Sequence, residues 1–336
     1  MKYIKLRNTS LELSNICLGG ANFGAGLSEQ QTFEILDAYT EAGGNFVDTA
    51  NIYGRWAEVR TNHSEITIGK WMKSRNARSK IIVATKGAHH AVNTPPNMYR
   101  VNKTEVQKDL DESLKTLGLD RIDLYWLHRD NPTIPVEEII DFMEAFVKAG
   151  KIRYYGASNY RLNRMKDADT YCKKNNLQGF SAIQNQWSLA SVPPGNNNPA
   201  SDLVAMNEEF YQWHKQTKTP SIPYSATASG FFEKMFSVNP KIENGAFVSP
   251  DDETELSKKV NKAYINERNL RIYGDLLKLK EKHNVSLYTL SVACLINQPF
   301  DVIPISGVKN VEQLKGFLQA SDIVIKENLF EKYRCQ

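Results

Sequence analysis

Eight times along this chain a short apolar run rich in β-branched residues is followed by a longer amphipathic stretch, and that rhythm restricts the fold more than any other feature. The runs lie near 15–18 (NICL), 45–48 (NFVD), 80–85 (KIIVAT), 122–127 (IDLYWL), 152–157 (IRYYGA), 181–186 (SAIQNQ), 220–225 (PSIPYS) and 301–305 (DVIPI). Strands covered by helices read as continuous apolar runs, which is the pattern of a parallel sheet. Helical periodicity falls at 28–42, 64–74, 104–117, 135–149, 160–175 and 202–216, in a pair at 267–283 and 286–297, and at 310–319. Ser28 and Gln31 have capping-box spacing, and Thr104 is placed to open the third helix. A count of eight predicts an α/β fold closed into a (β/α)8 TIM barrel rather than an open sheet.

Two further features follow from the same pass. Tyr3 to Leu13, turning around Asn8-Thr9-Ser10, predicts an N-terminal β-hairpin that plugs the bottom of the barrel. Residues 190–201 and 240–256 are loop-like in composition and predict extended loops at the C-terminal mouth, where barrels carry function. At 336 residues the chain is long for one domain, yet a barrel accommodates that length, so a single domain over 1–336 is expected.

The net charge of +4 is small and no block of basic residues occurs, so neither nucleic acid nor a polybasic membrane surface is an expected partner. Cys17, Cys172, Cys294 and Cys335 are scattered without a CxxC pair, which argues against a zinc site or a disulfide framework. Charges interrupt the opening MKYIKLR, so no signal peptide or spanning helix is predicted and a cytoplasmic location is expected.

In a barrel the residues that end strands converge on one mouth. Asp48 and, one turn later, Tyr53 follow the second run; Lys86 ends the third; His128 ends the fourth. An ammonium beside a phenol favours the phenolate and makes the phenol a usable general acid, provided that a carboxylate keeps the ammonium charged. A neighbouring imidazole can orient a carbonyl oxygen and stabilise charge developing on it. Singly these residues read as a helix cap, a packed aromatic, a surface charge and a semi-buried histidine. On three consecutive strands they read as one site.

In order and spacing the four resemble the catalytic tetrad of the aldo-keto reductases, and the resemblance runs over nearly the whole chain. It implies NADPH-dependent reduction of an aldehyde or ketone, hydride coming from nicotinamide C4 and the proton from Tyr53. Lys86 and Asp48 would tune Tyr53, and His128 would orient the substrate. By the same resemblance Gly20, Ala21 and Asn22 belong to the first βα loop at the cofactor, Ser158, Asn159 and Gln184 contact the carboxamide, and Tyr224 stacks on the nicotinamide. Ser225, Ala226, Ser229 and Gly230 would line the pyrophosphate, and Gly307, Lys309 and Gln313 the adenosine phosphate. Lys309 and Asn310 suit a 2′-phosphate, favouring NADP over NAD.

The expected partner is a small carbonyl substrate, polar or sugar-like, met by Trp56, Arg129 and Trp187, with Arg55 and Arg60 also in reach; the chain would act as a monomer or homo-oligomer. No metal is expected: His89-His90 lack a further ligand at suitable spacing and read as loop histidines. His63 and Glu65 read as loop and helix-start residues. Two alternatives stand beside the reductase. Lys86 could form a Schiff base in an aldolase, or the chain could be a cofactor-binding, redox-reporting subunit.

Overall fold

A computed structural model describes residues 1–57, 61–90, 99–192, 202–238, 241–243, 246–248 and 262–333. The chain opens with the expected hairpin, β1 (Tyr3–Lys5) against β2 (Glu12–Ser14), with Tyr3 opposite Ser14 and Asn8 in the left-handed region of the turn. Leu6, Leu11 and Leu13 pack into an inner cluster with Cys17, Phe46, Ala84, Leu124, Trp126, Ala182, Ile222 and Ile303. Because side chains alternate across a strand, the intervening residues Leu18, Val47, Val83, Tyr125 and Ile183 face outward into a second, larger core shared with the helices. The hairpin thus floors the barrel with hydrocarbon.

Parallel strands follow in chain order: β3 (Cys17–Gly19), β4 (Phe46–Asp48), β5 (Ile82–Gly87), β6 (Ile122–Leu127), β7 (Ile152–Ser158) and β8 (Phe180–Gln184). An antiparallel hairpin, β9 (Lys241–Glu243) with β10 (Ala246–Val248), lies where only a loop was expected. β11 (Ile305–Ser306) returns to pair with β3. The sheet order is β11-β3-β4-β5-β6-β7-β8.

The run at 220–225 does not form a regular strand. It closes the ring through bridges alone, Ser221 to Ile183 on one side and to Val302 on the other, and Tyr224 to Gln186. Proline is the reason, since Pro220 and Pro223 have no N–H to donate. Their carbonyls still accept, from Ile183 N at 3.1 Å and Ile305 N at 2.9 Å. Pro304 similarly shortens the run expected at 301–305 to β11, and its carbonyl accepts from Cys17 N at 3.0 Å.

The covering helices span Glu29–Glu41, His63–Arg75, Lys103–Leu117, Val136–Lys148, Leu162–Asn175, Glu208–Thr217, Glu267–His283, Leu287–Ile296 and Val311–Gln319. Ser28 and Gln31 form the predicted capping box. The third helix is capped two residues earlier than Thr104, by Asn102, whose side chain accepts from Glu105 N at 3.0 Å. The helix expected from 202 starts at Glu208, behind the Asn207 cap, because Ala205 instead bridges Gln186 beside the mouth. Short helices at Phe231–Ser237 and Leu329–Lys332 have no counterpart in the sequence reading. Cys17, Cys172 and Cys294 are buried free thiols, and Cys335 lies outside the described residues. Among the described residues no helix is long and apolar enough to cross a membrane, and no group of three or more His, Cys, Asp or Glu could hold a metal.

Gly156 on β7 lies beside the fully buried Trp126, its strand-pair neighbour. A Cβ there would fall 2.3 Å from the indole. Gly156→Ala should therefore cost about 1–3 kcal/mol through overpacking. The check is urea unfolding, with a lower midpoint at unchanged slope.

Candidate active site

The site is built where β4, β5 and β6 end. After Asp48 the chain stays on β5 for a few residues, Thr49 N donating to Ala84 O at 2.8 Å and Asn51 N to Lys86 O at 2.9 Å. It then turns, Tyr53 N donating to Ala50 O at 3.0 Å, which points Tyr53 back over the mouth. Gly54 follows at φ +93°, where a Cβ would stand 2.6 Å from the His63 side chain. Glycine is needed there on both counts.

Lys86 is the centre. Its Nζ donates to Asp48 Oδ2, to Thr49 O at 2.8 Å and to Tyr53 Oη at 3.2 Å, so three acceptors surround one fully buried ammonium. Burial works against the charge, but Asp48 and Tyr53 outweigh it and hold Lys86 above the usual lysine value. An amine committed in this way has no lone pair to offer a carbonyl, which counts against Schiff-base chemistry. Asp48 is oriented from across the barrel by Gln184, whose Nε2 donates to Oδ1 at 3.0 Å. Behind Lys86, Thr85 Oγ1 donates at 2.5 Å to Glu65, a carboxyl that burial pushes up to about 7.

His128 meets this group edge-on, with its ring centroid 5.9 Å from that of Tyr53. Burial first, then His89, Arg129 and Lys86, hold its imidazole well below the usual value and therefore neutral. Its buried Nδ1 has no hydrogen-bond partner among the described residues. A proton there would be an orphaned donor, costing about 1–3 kcal/mol, so the neutral ring carries its proton on Nε2.

The remaining expected residues divide. Trp56 is exposed and stands 6.0 Å from Tyr53, centroid to centroid, as a wall of the mouth. Trp187 does not reach the mouth: it is buried against Phe330, Phe300 and Tyr211. Arg55 lines one cavity with Lys86 and His89 but is tied down there, both Glu112 oxygens accepting from its Nη2 at 2.7 Å. Arg60 lies outside the described residues, as do 193–201 of the first long loop and 240, 244–245 and 249–256 of the second. Arg129 is in the mouth, but its Nη1 donates to His128 O at 2.8 Å and its Nη2 to His89 Nε2 at 3.1 Å. The histidines read as plain loop residues are therefore part of the site. Asp202, on which the sequence reading was silent, reaches both His90 Nε2 at 2.6 Å and Arg129 Nε at 2.9 Å.

On the floor of the mouth Ser158 and Asn159 are buried. Asn159, in the left-handed region at φ +61°, uses its whole amide within the protein: Oδ1 accepts from Tyr224 Oη at 2.8 Å and Val204 N at 3.1 Å, and Nδ2 donates to His128 O and Ser158 Oγ. Ser158 Oγ donates to Gln184 O at 2.8 Å. Beyond Tyr224, Ser225, Ala228, Ser229 and Gly230 all have positive φ. The turn closes on itself, Ala228 N donating to Ser225 O at 2.9 Å and Gly230 N to Thr227 O at 2.8 Å, and its small residues leave the backbone open to close approach. After β11, Asn310 caps the last barrel helix by accepting from Gln313 N at 2.9 Å, while Gln313 Oε1 accepts from Lys309 N at 2.9 Å. Lys309 itself is exposed there. Gly20 packs closely under the first loop, its N donating to Asp48 O at 2.8 Å and its carbonyl accepting from Ser64, with Ala21 and Asn22 turning outward beyond it.

A sequence model described as the Aldo/keto reductase family matches residues 15–334. A putative aryl-alcohol dehydrogenase, AAD14 of Saccharomyces cerevisiae, is 27% identical over 97% of this chain and 83% of its own length. The aldo-keto reductase yakc [NADP(+)] of Schizosaccharomyces pombe is 29% identical over 89% and 82%. The crystal structure of a thermostable aldo-keto reductase with the inhibitor epalrestat superposes with a TM-score of 0.67 at 20% identity, covering 100% of this chain and 99% of that one.

Lys86→Met would strand Asp48 as a buried carboxylate without its cation, at a cost of about 3–5 kcal/mol. Burial already raises the Asp48 carboxyl, and a group raised on folding gains stability as pH falls. Denaturant titrations near about pH 7 and about pH 5 should show the deficit shrinking on acidification.

Proposed function

This chain belongs to the aldo/keto reductase family, and on that footing we propose that it reduces an aldehyde or ketone to the alcohol with NADPH, Tyr53 donating the proton. The observation that carries this reading is the fully buried Lys86 ammonium, set between the Asp48 carboxylate and the Tyr53 hydroxyl. A phenol is a weak acid in water, and a fixed cation 3.2 Å from its oxygen stabilises the phenolate left behind. Asp48 keeps that cation charged, and Gln184 keeps Asp48 turned toward it. His128, neutral with its proton on Nε2, donates a hydrogen bond to the same substrate oxygen and so fixes the carbonyl before the proton moves. Trp56 walls the substrate.

When bound, NADPH supplies the hydride from nicotinamide C4. Residues suited to hold it line the mouth. The small-residue turn at Ser225–Gly230 lets a pyrophosphate approach the backbone closely, and the Asn310-capped helix start with exposed Lys309 and Gln313 suits the adenosine phosphate. Gly20, Ala21 and Asn22 border the same face. Tyr224 is positioned by Asn159, and Ser158, Asn159 and Gln184 form the polar floor beneath the carboxamide. Small carbonyl compounds, polar and aryl alike, make up the panel that tests the reading. NADPH titrated by quenching of protein fluorescence, with NADH in parallel, should show saturable binding followed by carbonyl-dependent oxidation. Absence of binding by either nucleotide would overturn the proposal.

Tyr53→Phe should retain NADPH binding and lose turnover by about two to four orders of magnitude, the usual share of a general acid. Normal turnover in that variant removes Tyr53 from the chemistry. Lys309→Met should weaken NADPH by about tenfold, near the worth of one exposed charge-assisted contact, and leave NADH nearly unchanged. Equal losses for the two nucleotides would show that Lys309 does not read the extra phosphate.

A further inference from the structure

Beside the Tyr53, Lys86 and His128 group, three βα loops are tied to one another through a single guanidinium. Arg129 Nη1 donates to the carbonyl of His128 and Nη2 to Nε2 of His89, while Nε faces Asp202, which follows β8. Asp202 also meets His90, and the His128 carbonyl takes a second bond from Asn159 after β7. An arginine can only donate. His89 Nε2 must then be the acceptor, so its proton sits on Nδ1, where the His90 carbonyl accepts it at 2.8 Å. The His89 ring is thereby fixed neutral, and it lies with its centroid 4.6 Å from that of His128, inclined at 65°.

We propose that His89 is a positioning residue for His128: Arg129, anchored by Asp202, fixes the His89 tautomer, and the neutral His89 holds the His128 ring with its Nε2–H toward the substrate. The inference rests on His128 donating to the substrate oxygen. A protonated His89 would bring a cation against the His128 ring. Burial and the Arg129 charge oppose that, holding His89 down to about 4. Among the described residues, the other titratable groups beside the pair include Lys86 on its strand, Tyr53 and Tyr224 at the mouth, His90 and Asp202 at the clasp, and Arg100, whose Nη1 donates to the His89 carbonyl at 2.7 Å with Asp109 as its partner.

Two substitutions separate this role from packing. His89→Gln keeps an acceptor for Arg129 and a donor for the His90 carbonyl and cannot titrate; His89→Phe keeps a ring and loses both bonds. The expected result is kcat within about threefold of wild type for Gln and lowered about tenfold or more for Phe, the usual scale for a supporting hydrogen bond, with NADPH affinity unchanged in both. Nitrogen-15 NMR of the His128 ring gives a readout independent of turnover. Wild type and His89→Gln should show one Nε2–H tautomer, and His89→Phe a mixture or protonation at higher pH. Equal behaviour of the two variants, whether both active or both impaired, overturns the proposal. Should His89→Phe not fold, Asp202→Asn replaces it and should produce the same change at His128; an unchanged spectrum there overturns it equally. A wild type with the expected tautomer but no carbonyl turnover would sink the reductase reading and leave the positioning role standing.

Discussion

Sealing an ammonium and a carboxylate together at the end of a barrel is unfavourable unless nearly every lone pair and proton finds a partner, because each ion gives up several kcal/mol of hydration. Lys86 and Asp48 meet that condition with help from distant parts of the chain. Thr49 supplies a carbonyl, Tyr53 a hydroxyl, and Gln184, on the far side of the ring, an amide. Those contacts exist only when β4, β5 and β8 are in register and the floor below is dry. The hairpin leucines at 6, 11 and 13 provide the dry floor. Barrel closure and the site are thus one physical problem.

Burial, and after it the charge of Arg129, keeps the neighbouring imidazoles neutral, with Lys86 adding to the effect at His128. With Lys86 charged and Arg129 close by, another cation in the mouth would be both desolvated and repelled, and His89 and His128 are accordingly held low. Labour is divided by charge: the lysine is a fixed cation, and the histidines are hydrogen-bonding groups whose tautomers are set by what surrounds them. Among the described residues Asp202, partly exposed at the rim, balances the arginine.

Much of this was legible in the sequence because it is local. β5, β6 and β7 appear within about two residues of the expected bounds, since their apolar runs end in the residue types that face the mouth. Asp48, Tyr53, Lys86 and His128 come together because each lies at a strand end, a position that periodicity predicts. What escaped was determined by partners far away in sequence. Trp187 lies among Phe300 and Phe330, more than a hundred residues on, and no local pattern marks its side chain as core rather than rim. Arg55 is claimed by Glu112 and His89 by Arg129 for similar reasons. Asp202 lay within an expected helix, and only the bridge of Ala205 to Gln186 lifts its segment onto the mouth. The prolines at 220 and 223 were visible, but their effect on the ladder was not weighed.

Those prolines leave the ring with one stave fastened at a few pegs while its neighbours are fastened along their length. The chain leaves that stave straight into Ser225–Gly230, the stretch with the most left-handed residues among those described. A lightly pegged stave can rock about Ser221, bonded on both sides, without tearing a continuous ladder. Under the proposed function, the segment that would embrace and release a long ligand is therefore the one the barrel can best spare, apart from the charges set on β4 and β5.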